Sequence, residues 1–227
     1  MSLHRLFIIA TSVFVLGIEG NFISADAPGQ SLKNKDILEW EAPESIKEKF
    51  PYYLSGFDYD RKPVVVMEFG GWDTLSLLKK GPEALVDVDK RNDQFAERLR
   101  TGFFNSLYPN GSSETSDDEV AIIFDFDGLQ FRQLTSPENV KYLMKTFAKF
   151  EKASDQIGYG FLINANTLVE QMLILVKPFM GKFLERVEVY GTKSEIWKPL
   201  LLRRIPRSQL PLAYGGTKKF RPVSFYG

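Results

Sequence analysis

Four short apolar runs decide the fold class of this chain. They span residues 63–69, 120–126, 159–163 and 187–190. None of them alternates polar and apolar residues, so they are typical of strands buried on both faces, as in a largely parallel sheet covered by helices. Amphipathic segments at residues 87–107 and 137–150 predict helices between these strands. The pattern therefore predicts an α/β fold.

Residues 166–184 form an unusual segment because it is apolar on two adjacent helical faces. A surface helix needs only one such face. Pro178 removes a backbone donor, which predicts a break or kink near Lys177. Charges at Glu170, Lys177 and Lys182 interrupt the segment too often for a membrane span. Three interpretations remain: a central core helix, a helix lining a hydrophobic cavity, and a lid that opens towards a membrane.

Residues 205–216, IPRSQLPLAYGG, require a sharp change in chain direction. Two prolines fix φ and remove amide donors, while Gly215 and Gly216 give access to positive φ. We expect a helix to end here and the chain to fold back against the sheet.

The composition is that of an ordinary globular protein: 227 residues, 44% hydrophobic and 26% charged. It is enough for one packed domain and excludes disordered and fibrous classes. The first twenty residues differ, since a basic start precedes an apolar run at residues 6–18 and small residues follow it. This resembles a secretory signal, and the run is too short to span a bilayer.

Two observations bear on the compartment. The chain has no cysteine, so no disulfide supports an oxidising destination. Asn110 begins an Asn-Gly-Ser sequon in a polar loop, which makes it a glycosylation candidate. We expect a secreted protein; the alternative is a cytoplasmic protein associated peripherally with membranes.

The zero net charge hides an asymmetry along the chain. From Lys177 onward there are eleven Lys and Arg against three Glu, a net charge of +8. A basic C-terminal region is attracted to phosphate groups on lipid surfaces or nucleic acid, or it pairs with the acidic remainder. Nucleic acid is the weaker interpretation, because no recognition helix or stacking motif accompanies the basic residues.

Few catalytic side chains are available. His4 is the only histidine, and cysteine is absent. The chain that follows the predicted signal therefore cannot contain a Ser-His-Asp or Cys-His catalytic system or a zinc site with Cys or His ligands. Asp125-Phe126-Asp127-Gly128 resembles the nucleophile loop of haloacid-dehalogenase-type phosphatases. However, Leu129 replaces the usual Thr and no later acidic pair completes a magnesium site. We expect no metal site and interpret the carboxylates as caps of the following turn.

Six motifs in a fixed order resemble the CRAL-TRIO lipid-binding family, which includes retinaldehyde-binding, tocopherol-transfer and phosphatidylinositol-exchange proteins. The motifs lie at residues 40–44 (WEAPE), 54–64 (LSGFDYDRKPV), 124–128 (FDFDG), 162–165 (LINA), 177–179 (KPF) and 210–216 (LPLAYGG).

The resemblance covers residues 38–216 and implies a mixed, largely parallel sheet forming the floor of an apolar lipid pocket. Helices would lie behind the sheet, and residues 166–184 would form a gating helix over the mouth. It implies a non-enzymatic monomer that binds a hydrophobic lipid and no other cofactor. Membrane contact would be transient, through the gate and the basic C-terminal region. The pocket and gate candidates are Phe161, Leu168, Met172, Leu175, Phe179 and Phe183.

The family's head-group positions are only partly matched. Asp155 and Arg186 occupy the acidic and basic positions that contact the inositol phosphate in phosphoinositide-exchanging members, and Lys177 is a third candidate. The residues around Asp155 depart from the family's Tyr-Pro-Glu-Arg, Phe183 replaces a hydroxyl, and Asn166 replaces a proline. A phosphoinositide, another phospholipid, a tocopherol, a retinoid or a sterol-like ligand therefore all remain open, as does a simple surface ion pair.

These considerations divide the chain into a signal (residues 1–20), a polar lead-in (21–37), the lipid-binding domain (38–216) and a basic-aromatic tail (217–227). Family members usually carry a helical domain before this region, so the chain is interpreted as a trimmed secreted form or as an incomplete gene model. The alternative functions are a lipid-responsive adaptor without transfer activity and, more remotely, a phosphatase that uses Asp125 and Asp127.

Overall fold

A sheet of six strands forms the framework of the fold. This computed structural model describes residues 36–109 and 118–226, apart from the side chain of Leu175. The strands are β1 (Tyr52–Phe57), β2 (Pro63–Met67), β3 (Val120–Asp125), β4 (Ile157–Ile163), β5 (Val187–Val189) and β6 (Ser224–Phe225). Their order is β5-β4-β3-β2-β1-β6. Strands β2 to β5 are parallel, whereas β1 runs antiparallel to both β2 and β6. The α/β fold with a mixed, largely parallel sheet is thus confirmed.

Seven α-helices accompany the sheet within the described residues. They are α1 (Glu44–Lys49), α2 (Thr74–Leu78), α3 (Val86–Arg100), α4 (Pro137–Lys152), α5 (Thr167–Val176), α6 (Gly181–Glu185) and α7 (Ser194–Arg204). The predicted signal at residues 1–20 and the candidate glycosylation site Asn110 lie outside the described residues.

Helices cover both faces of the sheet. Alternate strand residues point to opposite sides, so Val65 and Ile122 contribute to one apolar cluster while Val64 and Ile123 contribute to the other. The first cluster contains buried residues of α3 to α6, and we call that side the gate face. The second contains Trp197 and Leu201 of α7 with the segment that follows, and we call that side the rear face.

The predicted helix at residues 87–107 is wrong at its C-terminal end. α3 stops at Arg100 because Gly102 takes a left-handed φ of 65°, and its N–H bonds back to the carbonyl of Leu99 at 3.2 Å. A glycine in this conformation is a common helix terminator. The helix predicted at residues 137–150 is confirmed as α4, capped by the Ser136 side chain, which accepts from the Asn139 N–H.

The break predicted near Lys177 is confirmed. α5 ends at Val176, a 3₁₀ turn spans Lys177–Phe179, and α6 begins at Gly181. We call residues 166–185 the gate segment.

The chain reverses after α7 as expected, but the two glycines act differently. Gly215 takes a left-handed φ of 89°. Gly216 is required for a close approach instead, since a Cβ there would collide with the carbonyl oxygen of Leu210.

Candidate functional site

The gate segment covers an aromatic compartment on the gate face of the sheet. Phe124 of β3 lies 5.7 Å from Phe183 of α6 and 5.9 Å from Phe150 of α4, measured between ring centroids. Phe147 of α4 extends the cluster to Phe69, whose ring is 5.3 Å away. These rings give the space between sheet and gate segment an almost wholly apolar lining.

The compartment is closed in this conformation. It encloses a cavity of about 10 Å³, against the roughly 300–1,000 Å³ typical of small-molecule sites. Its lining residues are Phe124, Phe126, Phe147, Phe150, Leu162, Leu173, Val176, Met180 and Phe183. A lipid would therefore have to displace the gate segment.

The predicted pocket and gate residues are only partly brought together. Met172 and Phe183 are buried in the gate-face cluster, and Leu168 packs half-buried against it. Phe179 is 38% exposed on the 3₁₀ turn. Leu175 belongs to α5, and its side chain lies outside the described part of the structure.

Phe161, one of the predicted pocket residues, does not face the gate segment. It is 1% exposed but belongs to the rear-face cluster, where its ring lies 5.8 Å from Tyr159 and 6.1 Å from Tyr190. The reason is the alternation along β4, which turns Leu162 towards the gate segment and Phe161 away from it. Both residues are apolar, so their order in the sequence carries no sign of which faces the gate.

Leu173, Val176 and Met180 line the cavity although they are not among the predicted pocket and gate residues; they belong to the second of the two apolar stripes of the segment. No sequence signal separates the two stripes, because both are apolar. The stripe that meets the sheet depends on the packing of α5 and α6 against β3, β4 and α4, which are distant in sequence.

Hydrogen bonds hold both ends of the gate segment. The Asn166 side chain caps α5, accepting from the N–H groups of Leu168 at 3.0 Å and Val169 at 3.1 Å. At the other end, the Glu151 carboxylate accepts from the N–H groups of Lys182 at 3.2 Å and Phe183 at 3.0 Å. Asn166, which departs from the family's proline, is therefore a helix cap.

Two of the three head-group candidates meet. Arg186 lies 3.8 Å from Asp155, and it also lies 3.7 Å from Glu119, which pairs with Lys62 at 2.8 Å. Lys182 approaches Asp155 at 3.8 Å. Lys177 is exposed on the 3₁₀ turn and forms no ion pair with any of these carboxylates within the described residues. The group lies at the amino ends of β3 and β4, beside the end of α6.

The Asp125 carboxylate ties the C-terminal segment to the sheet. It accepts from the Tyr214 hydroxyl at 2.8 Å, the Asn164 amide at 2.8 Å and the Asp127 N–H at 2.9 Å. Burial, followed by the charge of Asp125, raises the pKa of Tyr214 well above its ordinary value, so this phenol stays a donor at physiological pH. The last of these bonds is the turn cap predicted from the sequence.

A second cavity of about 670 Å³ lies open at the carboxyl ends of β2 and β3. Its lining includes the carboxylates of Glu48, Glu68, Asp73, Asp125 and Asp127. Although it is far larger than the compartment under the gate segment, its charged walls do not suit an acyl or isoprenoid chain, because replacing the water around carboxylates by hydrocarbon is costly.

Comparisons with known proteins agree with this architecture. The chain is 25% identical over 187 residues to a CRAL-TRIO domain-containing protein of Caenorhabditis elegans, T23G5.2; the match covers 81% of this chain and 25% of that protein. The chain thus spans about a quarter of the length of that relative. The crystal structure of Sfh5 superposes with a TM-score of 0.57 at 13% identity, covering 87% of this chain and 71% of Sfh5.

None of the helices in the described residues is long and apolar enough to cross a bilayer.

The CRAL/TRIO domain model matches residues 47–216, which contain the sheet from β1 to β5, the gate segment and the reversal after α7. The chain therefore belongs to the CRAL/TRIO domain family of lipid-binding and lipid-transfer domains.

Proposed function

We propose that this chain is a non-enzymatic carrier that holds one hydrophobic lipid under the gate segment and moves it between membranes. The observation that carries the proposal is a two-part gate segment closing an aromatic, apolar compartment. Burying an alkyl chain there is worth roughly 0.8 kcal/mol per CH₂, so such a compartment can compete with a bilayer for the same chain.

The break in the gate segment provides a place for opening. Pro178 donates no backbone hydrogen bond, and a Cβ built on Gly181 would meet no atom within 4 Å. We infer that the two helices change their mutual angle at this break. Lids that move on such short hinges commonly control ligand entry.

The outer surface of the gate segment suits a transient membrane contact. Ile174 is 63% exposed and Phe179 38% exposed, and the cations Lys177 and Lys182 are exposed beside them. Apolar side chains entering the headgroup region, flanked by lysines that reach the phosphates, are the usual features of an interfacial helix.

The lipid class is proposed only broadly. Asp155 and Arg186, held beside α6, could contact a polar head group when the gate segment opens, which favours a phospholipid or phosphoinositide. The apolar lining equally accepts a tocopherol or retinoid chain.

Asp125 is an implausible nucleophile for a phosphatase, because the residue is 9% exposed and its carboxylate already accepts three hydrogen bonds.

The proposal is tested by mass spectrometry of natively purified protein and by transfer of a fluorescent lipid between vesicles. Leu173→Trp should fill the compartment and abolish lipid uptake, because Leu173 lines the cavity. Val86→Trp adds the same side chain at a position of α3 that is 55% exposed and lies outside the gate segment, and it should leave uptake intact. Absence of any bound lipid together with absence of transfer in the wild type would refute the carrier.

The closed compartment favours a second candidate, a lipid-responsive adaptor that presents a surface to a partner without transferring lipid. The cavity of about 10 Å³ is the observation behind it. Leu173→Trp separates the two functions: lipid transfer is lost if the chain is a carrier, whereas partner binding persists if it is an adaptor.

A further inference from the structure

The C-terminal part of the chain carries cations that the rest of the described structure does not neutralise. Residues 196–226 contain no Asp or Glu. Of their basic side chains only Arg204 pairs with a carboxylate in the described residues, Glu188 at 3.9 Å. Five others are exposed and have no ion pair there: Arg203, Arg207, Lys218, Lys219 and Arg221.

These cations belong to one continuous layer, which we call the rear layer: α7 and residues 205–225. Gly215 lies against Leu202 and Lys198 of α7. The Thr217 N–H donates to the Leu210 carbonyl at 3.2 Å, and the Val223 N–H donates to the carbonyl of Leu54 in β1 at 2.9 Å. The cations are therefore fixed on the same side of the molecule.

Large apolar side chains are exposed within the same layer. Leu212 is 54% exposed, Val223 48% and Phe225 57%. Val223 and Phe225 follow directly after the basic run Lys218-Lys219-Phe220-Arg221. Cations interleaved with exposed apolar groups match the boundary between anionic headgroups and acyl chains, so an anionic membrane is the partner that we propose for this layer.

The rear layer faces away from the gate segment. Trp197, Leu201 and Tyr214 pack on the rear face of the sheet, whereas Met172, Val176 and Phe183 pack on the gate face. The sheet lies between them. A flat membrane held by the rear layer is consequently not the surface onto which the gate segment would open.

We propose that the rear layer is a separate docking surface for anionic phospholipid membranes, opposite the gate. Its role in transfer, to hold the protein on one membrane while the gate addresses another, rests on the proposed carrier function. Binding at the rear layer does not require the carrier function, since each lysine or arginine near an anionic surface adds attraction within a Debye length.

Co-sedimentation with vesicles tests the proposal. We expect the full chain to bind phosphatidylcholine vesicles containing about one third phosphatidylserine, and to bind far more weakly to pure phosphatidylcholine or at high salt. The rear variant Lys218→Gln/Lys219→Gln/Arg221→Gln should bind the anionic vesicles about a hundredfold more weakly, at roughly fivefold for each charge removed.

A matched control removes the same charge from the other side. Lys79→Gln/Lys141→Gln/Lys152→Gln alters exposed lysines that follow α2 or lie on α4 and have no ion pair in the described residues; its vesicle binding should stay within about threefold of wild type. Equal losses in both triple variants, or full binding by the rear variant, would overturn the proposal. So would unchanged vesicle binding combined with selective loss of nucleic-acid or acidic-protein binding.

Lipid transfer by the same proteins separates this proposal from the carrier function. Anionic vesicle binding that depends on the rear layer, found in a protein that carries no lipid, would refute the carrier and support the docking surface. Transfer that is normal in the rear variant at every vesicle charge would refute the role of the docking surface in transfer.

Discussion

At the scale of single residues, Tyr214 is the side chain that holds the C-terminal segment in place. It is 4% exposed, and its hydroxyl donates to Asp125 at 2.8 Å. Tyr214→Phe leaves a carboxylate oxygen of Asp125 without this donor, so we expect a loss of about 1–3 kcal/mol in the free energy of unfolding. Urea denaturation measures this loss. Tyr59→Phe, at a hydroxyl-bearing ring that is 63% exposed, should change stability by less than about 0.5 kcal/mol.

The same residue predicts a pH dependence. Burial raises the pKa of Tyr214, so above pH ~10 the phenol ionises in the unfolded chain while the folded chain keeps its proton. The unfolded state then binds fewer protons, and the free energy of unfolding should fall by about 1.4 kcal/mol per pH unit on account of this group. Tyr214→Phe should remove that share of the alkaline slope. An identical slope in both proteins between neutral pH and the alkaline limit would contradict the assignment.

At the scale of elements, the gate segment is fastened to α4 by Glu151. Its carboxylate caps the first N–H groups of α6 at 3.2 and 3.0 Å. Within α4 the same acidic side chain stands in the last turn, where a negative charge opposes the helix dipole. Glu151 therefore stabilises α6 by capping it and does not stabilise its own helix, α4.

Glu151→Ala is consequently expected to loosen the gate segment. Loss of the cap should cost about 0.5–2 kcal/mol and accelerate amide hydrogen exchange at Lys182 and Phe183. α4 should exchange as before. Glu185→Ala, at an exposed acid at the end of α6, is the matched control and should leave both helices unchanged. A stabilised protein with unaltered exchange would show that Glu151 acts only as an unfavourable charge in α4.

The sequence predicts the elements well where one local cause decides them. Apolar runs without alternation predict β2 to β4, and Pro178 predicts the break before α6. β5 is also a strand as predicted, but the prediction that it is buried on both faces is wrong, because it lies at the edge of the sheet with Glu188 and Val189 exposed. Prediction from the sequence fails where a distant contact decides. Whether Phe161 or Leu162 faces the gate depends on the register of β4 with β3, and the collision that requires Gly216 comes from Leu210 across the chain reversal.

At the scale of the whole molecule, the tail closes one edge of the sheet. β6 pairs with β1, and the Tyr226 ring stacks on Tyr52 with centroids 5.2 Å apart. The Arg98 guanidinium lies 4.3 Å from the Tyr226 ring and 4.8 Å from the Phe103 ring, and donates to the Tyr52 hydroxyl at 2.5 Å. The buried Arg98 is therefore covered by Tyr226, the residue that follows β6.

Deletion of residues 222–227 should destabilise the protein and expose the edge strand β1. Loss of the ring over Arg98 and of the stack on Tyr52 predicts a decrease of about 2–3 kcal/mol in the free energy of unfolding. An unpaired edge also promotes association, so light scattering should rise with protein concentration. The rear variant Lys218→Gln/Lys219→Gln/Arg221→Gln keeps β6 and should unfold with a free energy within about 0.5 kcal/mol of the wild-type value.

A shortened chain as stable and as monodisperse as the full one would show that β6 contributes nothing to the sheet. If it is instead destabilised as expected, Tyr226→Ala in the full chain should reproduce most of the loss of stability without the association, because the ring is removed while the strand pairing remains.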